Sequence, residues 1–94
     1  MPSMIATFGD LDRRLESARK GVRDAIARHP EIDVLPEIGA QLDALHDETR
    51  DGARPSHALR DRLDFGQLAS RHLHAAEPAL ARDLYEIASW VAYA

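Results

Sequence analysis

The chain has 94 residues, no cysteine, and a net charge of −4 from sixteen acids against twelve bases; its length supports one core burying roughly 60–70% of the unfolded surface, hence a single domain over 1–94. Without cysteine there is no disulfide framework, thiolate nucleophile or zinc–thiolate site. No run approaches about 18 apolar residues and no basic segment leads into an apolar one at the start, so neither a membrane span nor a signal peptide is expected and the location is cytoplasmic; eleven arginines against one lysine do not make a nucleic-acid surface when acids are in excess.

Leu11, Leu15, Ala18, Val22, Ala25 and Ile26 recur at helical spacing, Asp10 is placed to cap the run and His29-Pro30 to end it, which predicts a first helix over roughly 10–29. A second begins near Asp33, accommodates Pro36 in its first turn, and keeps Leu35, Ile38, Leu42, Leu45 and Thr49 on one seam before Gly52. After the turn-like Asp51-Gly52-Ala53-Arg54-Pro55, Ser56 is placed to cap a short third helix holding Ala58, Leu59 and Leu63. Asp64 is the expected cap of a fourth, whose broad apolar face holds Phe65, Leu68, Ala69, His72, Leu73 and Ala76 until Glu77-Pro78 interrupts it. Pro78 starts a fifth with Leu80, Leu84, Ile87 and Val91 as its seam, flanked by Trp90 and followed by Tyr93.

No segment alternates with period two, and only three valines are present, so strands find no support. The predicted fold is all-α, a compact antiparallel bundle of four main helices plus one short helix. Gly21, Gly39 and Gly66 fall inside predicted helices at a cost of about 0.5–1 kcal/mol each relative to alanine, which close approach of a neighbouring helix would offset.

Little of this carries catalytic chemistry. His72 and His74, two apart on a helix, point about 160–200° away from each other and do not share an ion. His72 reads as a core histidine satisfied by one hydrogen bond. His46-Asp47 has the look of a paired metal ligand, yet neither His29 nor His57 comes with a motif that would complete the set. The glycines are too scattered for a phosphate-cradling loop, and no serine sits in an elbow motif. No catalytic residue, metal site or cofactor is expected, and the chain does not read as an enzyme.

Charge is the informative feature. Between His29 and Asp51 lie Glu31, Asp33, Glu37, Asp43, Asp47, Glu48 and Asp51 against one base, Arg50, so this stretch carries −6 while the remainder carries +2. On a helical wheel the seam residues of the second helix occupy a sector of about 80°, and Glu37, Asp43, Asp47, Glu48 and Asp51 fall broadly opposite. Asp43, Asp47 and Asp51 succeed one another at i, i+4, which destabilises an isolated helix by roughly 0.2–0.5 kcal/mol per pair. No base lies four residues from any of them, and the last two occupy the C-terminal turns, where the helix dipole favours cations. A solvated face would serve solubility with mixed charge. A one-signed face at unfavourable spacing is better explained by a basic partner.

The run HPEIDVLPEIGAQLDAL and the downstream LRDRLDFGQLASRHLHAAEPALARDLYEI resemble the small helical immunity proteins of bacterial type VI secretion, in particular the family that protects producing cells against an NAD(P)+ glycohydrolase effector. The likeness rests on the Pro-bounded entry to the second helix, the spacing of Leu59, Leu63 and Gly66, the Ala69 to Leu73 segment and the Glu77-Pro78-x-Leu80 start of the last helix. It implies a non-enzymatic inhibitor that needs no cofactor, binds a cognate secreted toxin in the cytoplasm and occludes its active-site cleft. A dinucleotide pocket must take a pyrophosphate and is often lined with bases, so a row of carboxylates suits the approach to it. The expected toxin-binding set is Asp43, Asp47 and Asp51 as a central row, Glu37 and Glu48 on its flank, Arg50 and Gln41 at the rim, and Tyr85 as an aromatic anchor projecting from the last helix; Trp90 is assigned to the core. Two alternatives stay open: a helical adaptor or regulatory module that self-associates as a homodimer, and an immunity protein against a nuclease or an ADP-ribosyltransferase.

Overall fold

Residues 5–93 are described by the computed structural model. They form α1 (Phe8–Arg28), α2 (Leu35–Thr49), α3 (His57–Arg62), α4 (Phe65–His72) and α5 (Pro78–Tyr93), with no strand among the described residues. The all-α expectation holds, down to a short third helix.

Helix α1 starts two residues earlier than its apolar spacing suggests, because Thr7 and not Asp10 is the cap. Thr7 is extended and its hydroxyl accepts the N–H of Asp10 at 3.0 Å. The Asp10 carboxylate accepts the N–H of Ala6 at 3.3 Å and pairs with Arg13. Donors at the helix entrance are thus shared between the cap and the third helical residue, in the manner of a capping box. The Ala6 hydrogen bond is the main reason that the Asp10 carboxyl is held below its ordinary range. Ser56 caps α3 as expected, accepting from Leu59 N at 3.1 Å.

Two helix ends also differ from expectation. α2 closes at Thr49, whose hydroxyl donates to the Leu45 carbonyl at 2.8 Å, and Gly52 turns the chain with φ of 79°; Asp51 lies in that turn and not on the helix. α4 closes at His72, four residues short of Ala76, and residues 73–76 are turns. The buried line of α4 runs through Phe65, Ala69 and Leu73 at i, i+4, i+8. His72 therefore sits at the rim of that line and is exposed, which corrects its assignment to the core; an imidazole there keeps its hydration.

Cross-helix contacts fix the architecture. His46 meets Asp12 and Arg19 meets Asp43, so α2 runs antiparallel to α1. Phe8 meets Trp90, Arg14 meets Asp83 and Arg28 meets Glu77, so α5 also runs antiparallel to α1. α4 packs on α5 and on α2, closing a ring in the order α1, α2, α4, α5. Leu11, Leu15, Ile38, Leu42, Phe65 and Ile87 are among the fully buried side chains at its centre, each worth about 1.5–3 kcal/mol of transfer from water. A Cβ on Gly66 would lie 2.9 Å from the Ala88 methyl, and one on Gly21 3.0 Å from Leu80; close approach is what those glycines permit. Trp90 is half-buried, edge-on to Phe8 with ring centroids 5.7 Å apart, and Ile26, counted with the apolar face of α1, is 37% exposed.

Candidate functional site

The outward face of α2 carries most of the carboxylates that the charge pattern singles out, but they are not equivalent. Asp47 is exposed on the helix, Asp51 is exposed in the turn after it, and neither makes a hydrogen bond or ion pair. Asp43 is exposed yet paired: its carboxylate accepts from Arg19 Nε at 2.7 Å. Glu48 is turned to structural use, accepting from the backbone N–H of Ser56 at 2.8 Å and from its hydroxyl at 3.3 Å, which ties the start of α3 back to α2. Glu37 accepts from the Gln41 amide at 3.2 Å.

The row is therefore relieved in part, and the relief comes from α1 rather than from α2. Arg19 also brings Nη1 to 3.3 Å from His46 Nδ1, while His46 Nε2 lies 3.1 Å from Asp12. A guanidinium can only donate, so Nδ1 is the acceptor, and the hydrogen-bond network assigns the ring proton to Nε2, facing Asp12. Asp12, Glu16 and His46 hold ligand-type atoms within 4.8 Å of one another. Asp47, the residue paired with His46 in sequence, is not part of this group. Arg19 engages one ring nitrogen of His46 and Asp12 the other, so both nitrogens have partners. Asp12 and Glu16 extend the anionic surface onto α1, a feature invisible to a reading of α2 alone, since the two helices meet only in the folded chain.

Gln41, expected at the rim, is instead buried at 8% exposure. Its amide donates to Asp64 Oδ1 at 2.5 Å and its carbonyl accepts the Asp64 N–H at 2.9 Å. Asp64 stands at the cap position of α4, but its carboxylate serves this clamp and makes no cap hydrogen bond. Arg50 is exposed and its guanidinium takes no partner.

Tyr85 belongs to another surface. It is half-buried against the edge of the core, its hydroxyl lies 3.3 Å from His74 Nδ1, and it lines a hollow of about 420 Å³ with Leu63, Asp64, Gln67, Ala88 and Ser89. It does not project freely from α5, and its hollow shares with the α2 side only Leu63. The apolar seam of α5 spans a wider sector than Leu80, Leu84, Ile87 and Val91 define, because α4 packs on one flank of it.

No helix among the described residues is long and apolar enough to cross a membrane. No curated protein and no solved structure matches the chain. A sequence model of one family does match, over residues 10–93, with α1 to α5 almost entirely inside the matched span. The chain belongs to the Tsi6 family, immunity proteins of type VI secretion that bind an effector.

Proposed function

We propose that this protein binds the NAD(P)+ glycohydrolase domain of its cognate effector in the cytoplasm of the producing cell and blocks the active-site cleft with the outward face of α2, performing no chemistry of its own. Family membership supplies the effector. The observation that carries the choice of face is the pair Asp47 and Asp51, exposed carboxylates that lack any intramolecular partner and lie beside Asp43, with Asp12 and Glu16 extending the negative surface. Unneutralised like charge on a folded surface destabilises it slightly and raises the rate and selectivity of association with a basic surface. A cleft that holds a dinucleotide pyrophosphate is often lined with bases and so offers such a surface. Glu37 and Glu48 remain at the flank of the contact, as charge rather than as free ligands, and Tyr85 adds a secondary contact through the α4–α5 side.

Co-expression tests this. The effector's toxin domain alone should deplete cellular NAD(P)+ and arrest growth, and should do neither beside the wild-type protein. Reversing Asp47 and Asp51 together, Asp47→Lys with Asp51→Lys, leaves every intramolecular pair intact and should abolish protection and flatten the salt dependence of binding. Undiminished protection by that double variant would remove α2 as the contact.

A further inference from the structure

Carboxylates are only part of the outward face of α2. Ala40 is exposed and Ala44 half-buried, and with Leu59 and Leu63 they floor an open hollow of about 200 Å³ between α2 and the α3–α4 corner, with Glu37 and Arg62 at its rim. Two helices, α2 and α3, wall it with Leu63 of the α3–α4 link, and the clamp from Gln41, itself a lining residue, to Asp64 locks α2 to the start of α4. The hollow is therefore built into the fold, and an occupant would enter it without ordering a loop.

Its charge surroundings are asymmetric. Asp43 and Asp47 follow Ala40 and Ala44 by three residues, which on a helix makes them lateral neighbours. The edge toward α1 is therefore anionic, with Asp47 unneutralised. Interface energy concentrates in a few large apolar or aromatic side chains seated in pockets and ringed by polar contacts. The face of α2 offers no such side chain of its own: among the described residues the exposed large hydrophobics are Ile26 on α1 and Tyr93 at the end of α5. The anchor must then come from the other molecule.

We infer that the hollow walled by Ala40, Ala44, Leu59 and Leu63 is the socket for an aliphatic or aromatic side chain of the effector, presented next to a lysine or arginine that pairs with Asp47. This rests on the reading that α2 faces the effector, and it names what the effector brings there.

Filling the hollow tests it. Purified effector toxin domain is titrated calorimetrically into wild type, Ala44→Phe, Ala40→Phe and, as a control on a different face, Ala92→Phe, with thermal unfolding measured on each. The expected result is affinity roughly 10–100-fold weaker for Ala44→Phe and Ala40→Phe, and unchanged for Ala92→Phe. Position 40 is exposed, so Ala40→Phe carries the test should Ala44→Phe not fold. If wild type binds and both hollow-filling variants bind within about twofold of it, the socket is wrong while the immunity reading stands. If wild type itself does not bind the toxin domain, the reading beneath falls and the socket with it. Sedimentation of the protein alone supplies the other occupant: a dimer that Ala40→Phe dissociates would assign the hollow to a second copy and overturn the proposal.

Discussion

Helices α1 and α4 occupy opposite corners of one ring, and the polar contacts that flank their buried faces differ. Along α1, Arg14 spans Asp83 and Glu86 at 3.0 Å each, Arg19 takes Asp43, and Arg28 takes Glu77 at 2.6 Å. Basic side chains of one helix thus face acids on both neighbours. Along α4 the contact with α5 is one of volume, with Gly66 admitting Ala88 at a distance that a methyl would close, and the packing on α2 is joined by one polar contact, the amide clamp of Gln41 on Asp64 at the cap of α4. Exposed ion pairs contribute about 0–1 kcal/mol apiece, whereas filled apolar contacts contribute several times that. The ion pairs at the edges of α1 accordingly set register and charge balance, while apolar burial, by Leu11, Leu15, Ala18, Val22 and Ala25 on α1 as by Phe65 and Ala69 on α4, holds the bundle closed.

Three measurements sharpen that contrast. Phe65→Ala, at a side chain 1% exposed on α4, should cost about 3–5 kcal/mol in urea unfolding; a loss below ~1 kcal/mol would mean that α4 is not a closing element. Gln41→Ala leaves the Asp64 N–H without its acceptor and should cost about 1–2 kcal/mol, with amide exchange accelerated at the start of α4. The smallest effect belongs to an α1 seam and to acid. Hydrogen bonds from Arg28 and then His29 hold the Glu77 carboxyl below its ordinary value of 4.5. The unfolded chain then binds more protons than the folded one as pH falls from 4.5, so the stability that Glu77 contributes is fully present above that pH and drains below it. Melting temperature plotted against pH should fall less steeply below 4.5 in Glu77→Gln than in wild type, and parallel curves would show that the Arg28–Glu77 contact is not a stabilising one.

Sequence periodicity exposes most of this fold, because each helix announces its buried line within its own residues: Leu11, Leu15, Ala18, Val22 on α1 and Leu80, Leu84, Ile87, Val91 on α5 are buried as their spacing requires. Helix ends are less legible. Thr7 and Asp10 compete for the cap, and the capping box resolves only when both hydrogen bonds are seen. The four residues after His72 keep helical spacing but fold as turns. The acidic face is legible as charge and not as chemistry. Arg19 stands 24 residues from Asp43 and Arg14 stands 69 from Asp83, and nothing in local spacing couples them. For the same reason Asp47 and Asp43 look alike in sequence although one is free and the other paired. Helical spacing puts Gln41 at the rim, but it is buried because its partner, Asp64, stands 23 residues away at the cap of α4.

The division of α2 into sectors has a consequence for how the scaffold could change partners. Ile38, Leu42, Leu45 and Gln41 are buried and tie the helix to the bundle, while Ala40, Ala44 and Asp47 support no neighbouring element through a hydrogen bond or ion pair. Exposed substitutions away from such anchors usually change stability by less than about 0.5 kcal/mol. On the proposed reading, positions 40 and 47, both exposed, can therefore be rewritten while the helix stays in register, with position 44, half-buried, limited to small side chains. A lineage facing a newly diverged toxin needs no new fold under these conditions, and a library randomised at 40 and 47, with only small residues at 44, is the natural starting stock for retargeting this scaffold.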